Sequence, residues 1–346
     1  HALVANDWHA AMSQACLRTH NDFGAARAVG CVQVVHNSAY TGRFAGAAMP
    51  LTGLPAELFH PDALEFWGDL CLLKGGLVWA DRIVTVSPRH AEELQTPAFG
   101  GGLEGLSRWR AHRFSGIANG IDVERHDPAT DPALPARYDA QYAKPKGACR
   151  EALLAALGLA APPPGRLLAG IGRLAEQKGW DVLADAIPAL VAQGASLALL
   201  GDGDPALAER LRAAARAFPD RVAVSIGWDE ALARRIYAGA DCVLIPSRFE
   251  PCGLVQLVAQ RYGTLPVAHR VGGLVDTIED GATGVLFEPL TVEALVAAAE
   301  RAARLLAGRR DAVVRRLLSL DVSWARPAAA YESLLAAASR EGRRRL

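Results

Sequence analysis

Short apolar runs alternate with amphipathic helix patterns through the second half of this 346-residue chain. Each run is apolar at nearly every position, so the strand it predicts is buried on both faces. The predicted strands span residues 167–172, 196–200, 221–226, 241–246, 265–268 and 284–287, and the predicted helices span 179–193, 205–218, 229–238, 253–261 and 291–306. Strands that alternate with helices predict an α/β fold, in which helices cover both faces of a parallel sheet.

The first part of the chain shows the same alternation less completely, with predicted strands at 2–5, 28–35 and 82–86. A chain of this length is too long for one ordinary core, which favours two domains. Residues 124–165 contain several prolines, which predicts a linker with one helix at 146–157. The pattern predicts an amino-terminal lobe over 1–122, a linker over 123–165, a carboxyl-terminal lobe over 166–318 and a helical tail over 319–346.

Composition excludes several classes of function. The formal net charge is +0 at pH 7, which leaves no excess positive charge for nucleic acid, and no apolar run approaches the length that spans a membrane. The six cysteines form no Cys-x-x-Cys pair, which favours reduced thiols in a cytoplasmic protein over disulfides or zinc. The chain opens at His1, without methionine and already in a strand pattern, so we expect an amino-terminal piece to precede it.

The segment from Ser247 to Leu254 follows the apolar run 242–246 and contains Glu250 and Gly253. The carboxyl edge of a parallel sheet is where ligands bind, and a helix that begins near Gly253 would turn unpaired N–H groups toward an anion there. A carboxylate beside an anion site suggests chemistry on a phosphorylated substrate. The alternative is a solvated loop with a glycine turn.

Gly170-Ile171-Gly172-Arg173-Leu174-Ala175 lies between a predicted strand and a predicted helix, so it fits a dinucleotide-binding fingerprint. This motif would make the carboxyl-terminal lobe part of a nucleotide-dependent dehydrogenase. The fingerprint also requires an acid at the end of the second strand, and Asp202 comes later than that. Arg173 and Lys178 could instead bind a diphosphate, or could face solvent as an ordinary helix start.

Polar residues follow the predicted strands of the amino-terminal lobe: Asp7, His9, His36 and Asn37. A histidine there could contact a ligand, bind a metal or pack in the core, and no partner spacing supports a metal. Asp202 and Asp204 are interpreted as turn residues. Trp228 follows a strand and could stack on a flat base or pack in the core.

Several segments, taken in order, resemble the bacterial glycogen synthase and plant starch synthase family. They are Asp7-Trp8-His9-Ala10, Val35 through Gly42, Phe59 through Phe66, Ala80 through Pro88, Glu93 through Pro97, Asn119-Gly120-Ile121-Asp122, Arg173 with Gln177-Lys178-Gly179, and Pro246 through Leu254. The resemblance implies a GT-B fold, in which two Rossmann-like lobes face a central cleft. It also implies a retaining transferase that moves glucose from ADP-glucose to the non-reducing end of an α-1,4-glucan such as a glycogen primer, without a cofactor or metal.

The resemblance implies a role for each matching residue. Catalytic roles fall to Glu250, His36, Arg173 and Lys178; substrate binding to Asp7, His9, Asn37, Asn119, Cys252, Gly253 and Leu254; and nucleotide binding to Arg173, Lys178, Trp228, Gly272 and Gly273. Arg173 and Lys178 would bind the diphosphate, Glu250 would face the donor sugar, and Trp228 would pack on adenine.

The chain departs from the family pattern in a few places. Val258 stands where many related transferases have a second glutamate, Val271 where bacterial relatives have threonine, and His126 where a tryptophan is frequent. The family's Lys-x-Gly-Gly-Leu loop should precede His1 by roughly a hundred residues, given the size of such domains, so the amino-terminal lobe is expected to be partial. Two alternatives to the transferase therefore stay open: a truncated nucleotide- or glucan-binding remnant without turnover, and the dehydrogenase.

Overall fold

The computed structural model describes residues 1–344. The chain divides into two compact units: unit 2 is Gly120–Trp324, and unit 1 combines His1–Asn119 with the described residues from Ala325 on. The predicted linker 123–165 thus lies within unit 2, and most of the predicted tail 319–346 lies within unit 1. Within residues 1–344, no helix is both long enough and apolar enough to cross a membrane.

Unit 2 follows the predicted alternation of strands and helices closely. Its strands are β8 (Leu167–Leu174), β9 (Ser196–Gly203), β10 (Val222–Ile226), β11 (Cys242–Ile245), β12 (Leu265–His269) and β13 (Val285–Phe287). Its helices are α5 (Lys146–Leu157), α6 (Trp180–Ala192), α7 (Pro205–Ala217), α8 (Glu230–Gly239), α9 (Val255–Arg261), α10 (Gly272–Thr277), α11 (Val292–Leu306) and α12 (Arg310–Leu318). The six strands form one parallel sheet in the order β10-β9-β8-β11-β12-β13.

Both faces of this sheet are buried, as the continuous apolar strands predict. Leu167 and Ala169 of β8 belong to one apolar cluster, whereas Leu168 between them belongs to the cluster on the opposite face. The same alternation recurs in β9, where Leu199 and Leu200 belong to different clusters. Successive strand side chains point to opposite faces, so one strand supplies both cores and the sheet edge is rigidly supported.

Unit 1 is built on a smaller parallel sheet. Its elements are β1 (Ala2–Asn6), α1 (Asp7–Thr19), β2 (Gly30–Val35), β3 (Arg43–Ala45), β4 (Glu65–Phe66), β5 (Asp69–Cys71), α2 (Leu72–Trp79), β6 (Arg82–Thr85), α3 (Pro88–Glu93), α4 (Glu104–Trp109), β7 (Phe114–Gly116) and, at the end of the chain, α13 (Ala325–Arg343). The parallel sheet has the order β1-β2-β6-β7, and β3, β5 and β4 form a small antiparallel sheet. The antiparallel sheet lies between residues 43 and 71, where the sequence predicts no strand.

Helix α13 packs on the parallel sheet of unit 1. Ala338 joins an apolar cluster with Val32, Val34 and Val84, and a Cβ at Gly30 would lie 2.1 Å from the Ala338 carbonyl oxygen. The missing side chain at Gly30 is therefore what allows the helix to approach the strand.

Candidate active site

The carboxyl ends of β8 and β11 lie side by side in the middle of the unit 2 sheet. The chain continues from β8 to β9 on one side and from β11 to β12 on the other, so the strand order reverses between them. Ligands of open α/β sheets bind in the crevice outside such a reversal. Arg173 lies at the end of β8 and Glu250 in the loop after β11, so the structure brings the two sequence motifs together at this edge.

Glu250 and Lys178 form an ion pair at this edge. Lys178 Nζ donates to Glu250 Oε2 at 2.6 Å, and Ser247 Oγ donates to the same oxygen at 3.0 Å. The Glu250 side chain is only 8 % exposed, and a buried carboxylate needs a charged or hydrogen-bonding partner. Lys178 supplies that partner here, which the sequence did not predict, since it placed the two groups on different parts of a substrate.

The two loops that carry this pair are joined by further hydrogen bonds. The backbone N–H of Arg248 donates to the Gln177 carbonyl at 2.8 Å, and Gln177 Nε2 donates to the Phe249 carbonyl at 3.2 Å. Arg248 also donates twice to Asp181, at 2.7 and 2.6 Å, and this bond lowers the pKa of Asp181. Sequence reasoning missed this role of Arg248, because a lone arginine in a loop carries no signal of its partner.

Gly179 allows the two loops to meet. Its φ is +67°, and a Cβ there would lie 1.8 Å from the Pro246 carbonyl oxygen. Both the left-handed conformation and the close approach exclude a side chain. Glycine at 179 therefore sets the distance between the Lys178 loop and the Glu250 loop.

A cavity of about 600 Å³ opens beside Arg173, a size typical of small-molecule sites. Its lining includes Arg173, the glycines Gly172, Gly201 and Gly227, and the aromatic residues Trp228 and Tyr237. Trp228 is 85 % exposed, so the alternative that this residue packs in the core is wrong. An exposed indole at the rim of a cavity offers a flat surface on which a ring can stack.

Arginines that the sequence analysis did not single out line the same cavity. Arg125 and Arg234 both donate to Glu230 Oε1, at 2.8 and 2.6 Å, and these bonds lower the pKa of Glu230. Burial lowers the pKa of the adjacent His126. Arg125 lies about a hundred residues from Glu230 and Arg234 in the sequence, so no motif identifies the group.

The dinucleotide-fingerprint alternative is wrong for this chain. Gly170 and Gly172 lie inside β8, in register with Leu199 and Gly201, and the following helix begins only at Trp180. The fingerprint requires a tight turn from the strand directly into the helix, and that turn is absent from residues 170–175.

The segment after Glu250 forms a tight turn rather than the helix start predicted at Gly253. Gly253 has a φ of +72°, and α9 begins at Val255, with Leu254 half exposed before it. Cys252 is buried, and a Cβ on Gly273 would lie 2.3 Å from its carbonyl oxygen. The Gly273 N–H donates to the Glu250 carbonyl at 3.0 Å, so Gly272-Gly273 closes over the Glu250 loop.

In unit 1, Asp7 and His36 follow the adjacent parallel strands β1 and β2. The His36 N–H donates to Asp7 Oδ1 at 2.8 Å, and His36 Nε2 lies 2.9 Å from Asn6 Oδ1. Asp7 has a φ of +51°, which is uncommon for a residue with a side chain. The structure thus brings Asp7 and His36 together at the ends of two adjacent strands.

The other candidates of unit 1 are less tightly joined. His9 is exposed and stacks on Trp8, with 3.8 Å between ring centres. Asn37 Oδ1 accepts the N–H of Ala39 at 3.0 Å, a turn-forming bond. Asn119 is half-buried at the end of unit 1. Their contacts with a substrate remain predictions.

Among the side chains that the structure describes, no cluster of histidine, cysteine and acidic groups could hold a metal ion. Asp204 caps α7 through the N–H groups of Ala206 and Leu207, and Asp202 Oδ1 accepts the N–H of Gly203 at 3.0 Å. Both aspartates therefore act as turn and cap residues, as interpreted from the sequence.

Two family models match the chain: the starch synthase catalytic domain over residues 1–109 and glycosyl transferases group 1 over residues 165–304. A glycogen synthase from Anaeromyxobacter sp. (strain Fw109-5) is 48% identical over 342 residues, which are 96% of this chain and 72% of the relative. A glycogen synthase from Roseobacter denitrificans is 46% identical over 338 residues, 94% of this chain and 70% of the relative.

The solved catalytic domain of starch synthase IV from Arabidopsis thaliana, bound to ADP and acarbose, superposes with a TM-score of 0.90 at 30% identity. The match covers 97% of this chain and 72% of that one. A sucrose-phosphate synthase from Thermosynechococcus elongatus matches with a TM-score of 0.60 at 22% identity, over 96% of this chain and 73% of that one. At that identity the second likeness bears on the fold alone.

Proposed function

The chain belongs to the glycogen synthase family of GT-B glycosyltransferases, and we propose that it transfers glucose from ADP-glucose to the non-reducing end of an α-1,4-glucan, with retention at the anomeric carbon. The observation that carries this proposal is the edge of unit 2, where Arg173, Lys178 and Glu250 gather at the strand-order reversal. Arg173 of this edge also lines the cavity that Trp228 borders.

The positive groups suit the most demanding part of glycosyl transfer, which is the departure of a diphosphate. In the proposed reaction the bond from glucose C1 to the diphosphate oxygen breaks, and the acceptor hydroxyl oxygen bonds to C1 on the same face. Its proton passes to the departing diphosphate. Preorganised cations where negative charge develops make the largest contribution to such a step, and Arg173 and Lys178 are assigned that role.

Glu250 is assigned to the donor sugar. Its second carboxylate oxygen, Oε1, can accept a sugar hydroxyl while Oε2 is held by Lys178 and Ser247. A double-carboxylate glycosidase would need a second acid across the bond, and no second carboxylate stands beside Glu250 among the described residues of its loop. A single carboxylate supports transfer in which the leaving group itself takes the proton.

Adenine is assigned to the cavity bordered by Trp228. The exposed indole can stack on a base, and the Arabidopsis starch synthase domain, 30% identical, was solved with ADP and acarbose. The carrier ADP and the α-glucan acceptor are proposed for this chain on that basis. Asp7, His9, His36, Asn37 and Asn119 in unit 1 are assigned to the sugars.

We assign the enzyme to the cytoplasm. All six cysteines are free, which suits a reducing compartment, where disulfides rarely persist.

The proposal is tested by measuring glucose incorporation into glycogen from ADP-glucose and from UDP-glucose, together with calorimetric titration of ADP, UDP and NAD. We expect transfer from ADP-glucose and binding of ADP. Arg173→Ala should weaken ADP binding at least tenfold, since a charge-assisted phosphate contact contributes about 1.5–3 kcal/mol. Arg216→Ala, which removes an exposed arginine from α7 of the same unit, is the matched control and should leave ADP binding unchanged.

Each other outcome selects a different function. ADP binding without turnover on any donor would identify a nucleotide-binding remnant. Preference for UDP-glucose would overturn the assignment of the carrier, and binding of NAD but not of ADP would overturn the assignment of the nucleotide.

A further inference from the structure

Two glutamines are completely buried in unit 1, where they belong to none of the sites assigned above. Gln14 lies on α1 and Gln33 on β2, and each side chain is 0% exposed. Gln14 Nε2 donates to Gln33 Oε1 at 2.9 Å. The remaining residues of β2 are glycine, cysteine and valine, and a buried amide is unfavourable unless it is hydrogen-bonded. An apolar pair would serve the core at least as well, so the amides call for a specific role.

The amide nitrogen of Gln33 is directed at the start of α1. It donates to the Asp7 carbonyl at 3.0 Å and to the Val34 carbonyl at 3.0 Å, so both of its N–H groups are used. Asp7 is the residue with a φ of +51°, and its carboxylate accepts the His36 N–H at 2.8 Å. A left-handed residue with a side chain persists only where its surroundings hold it, and the bond from Gln33 is one such restraint.

Helix α2 has a glycine, Gly76, where it packs against this amide. A Cβ on Gly76 would lie 2.2 Å from Gln33 Oε1 and 2.8 Å from the Ala11 Cβ of α1. Glycine inside a helix is unfavourable to the helix itself. Its presence at 76 therefore reflects the close packing of α2 against Gln33 and α1.

We propose that Gln33 is a positioning residue for the sugar-side group of Asp7 and His36. Its amide holds the Asp7 backbone in the left-handed conformation, so that the Asp7 carboxylate can accept the His36 N–H and both side chains are fixed at the ends of β1 and β2. This role rests on the proposed function, in which Asp7 and His36 contact the sugars. Gln14 donates to the other end of the Gln33 amide, at Oε1, while the bonds from Gln33 Nε2 to the Asp7 and Val34 carbonyls set its orientation.

The test compares Gln33→Leu, Gln14→Leu and the double variant Gln14→Leu/Gln33→Leu in glucose transfer from ADP-glucose to glycogen. Replacing both partners of a buried hydrogen bond by apolar groups leaves no unsatisfied amide, so the double variant should be as stable as the wild type or more stable. We expect its kcat to fall about 10- to 100-fold, the range for misplacing a reacting group by about 1 Å. Gln14→Leu should lower the melting temperature but keep kcat within about twofold, because the Gln33–Asp7 bond remains.

A stable double variant with the kcat of the wild type would overturn the proposal, as would equal losses of kcat in Gln33→Leu and Gln14→Leu. Asp7→Ala provides an independent check: adding Gln33→Leu to it should lower kcat no further, since residues that act through one another are not additive. Additive losses would show that Gln33 acts elsewhere.

Hydrogen exchange at the His36 backbone amide gives a readout that needs no turnover. We expect its protection to fall about tenfold in the double variant and to be unchanged in Gln14→Leu, because local opening sets exchange. If the wild type transfers no glucose, the proposed function fails; unchanged His36 protection in the double variant would overturn the positioning role independently of that result.

Discussion

The two sheet edges that carry the candidate site residues are held together by different forces. At the edge of unit 2, charged side chains hold one another: Lys178 pairs with Glu250 and Arg248 with Asp181. At the edge of unit 1, Asp7 is held by the His36 backbone N–H and, through its carbonyl, by the neutral amide of Gln33. The edge of unit 2 is organised by ion pairs between side chains, whereas Asp7 in unit 1 is held by neutral donors, a backbone N–H and a buried side-chain amide.

This difference follows from the chemistry assigned to each edge. A site for a diphosphate needs positive charges, and charges near a protein interior need partners when the ligand is absent. A site for sugar hydroxyls needs side chains at fixed positions more than it needs net charge. Neutral amides fix positions without adding charge to the site.

Removing one negative charge at each edge is the strongest test of the difference between them. Glu250→Gln should lower kcat about 1,000-fold, since it removes a buried carboxylate beside the reacting sugar and leaves Lys178 without its partner. Asp7→Asn should cost only about tenfold, because asparagine tolerates a positive φ and can still accept the His36 N–H. Steady-state kinetics with ADP-glucose and glycogen measure both, and equal losses would contradict the contrast between the edges.

Gly179→Ala should disrupt the loops of unit 2 without changing any charge. The new Cβ would meet the Pro246 carbonyl at 1.8 Å, so the Lys178 loop must move away from Glu250. We expect ADP affinity to fall about tenfold and stability to fall by about 2–3 kcal/mol. Gly158→Ala is the matched control, since Gly158 has a similar φ of +64° and nothing within 4 Å of its Cβ position; it should leave ADP affinity unchanged.

Lys146 makes the stability of unit 2 depend on pH. Burial lowers the pKa of Lys146 to about 7, with Arg310 as the next cause. Its ammonium donates to carbonyls of Tyr237, Ala238 and Tyr262. Because the folded-state pKa lies below the unfolded value near 10.5, unfolded chains bind more protons above pH 7, and stability should rise with pH from there.

Urea unfolding of the wild type and of Lys146→Met between pH 7 and about 8.5 measures this dependence, because the cysteines, whose usual pKa is about 8.5, affect both proteins alike. Over that range the wild type should gain about 1–2 kcal/mol of stability relative to Lys146→Met, whatever the stability of the variant at pH 7. Above this range burial of the Cys149 and Cys242 thiols, which raises their pKa, should reverse the trend. An equal rise in Lys146→Met would contradict the assignment.

The smallest expected effect comes from an ion pair of unit 1 that lies away from the site. Glu341 of α13 pairs with Arg82 and, at 3.5 Å, with Arg113. These side chains are about one-third exposed, and such pairs contribute about 0–1 kcal/mol. Glu341→Gln should therefore shift the free energy of unfolding by less than about 1 kcal/mol in denaturant titration, with kcat unchanged.

The sequence predicted the edge of unit 2 well because its features are local. The strands are continuous apolar runs, and Arg173, Lys178 and Glu250 stand directly beside them in recognisable segments. The end of β8 was placed two residues early because Arg173, a polar residue, continues the strand to Leu174. The helix start at Gly253 was placed early because a glycine turn precedes α9.

The contacts that hold unit 1 together could not be predicted in the same way, because they join residues that are distant in the sequence. Gln14 and Gln33 meet only through the packing of α1 on β2, and glutamine has no spacing pattern that signals a buried pair. The small antiparallel sheet was missed because β3 is exposed along its whole length, so it lacks the apolar pattern of a strand. Helix α13 shows its amphipathic pattern, but nothing in its sequence indicates that it packs on β2.

The return of α13 to unit 1 also governs the order in which the protein can be completed during synthesis. Gly30 packs against Ala338, at nearly the opposite end of the chain, whereas unit 2 is one uninterrupted stretch. Emerging from the ribosome, unit 2 has all its strands before α13 has been translated, while the sheet of unit 1 waits with one face uncovered. Contacts between distant parts of a chain form late. Unit 1 therefore begins to be translated before unit 2 but completes its folding after it. Until α13 is made, the valines on the uncovered face of its sheet are the surface that a chaperone would need to shield.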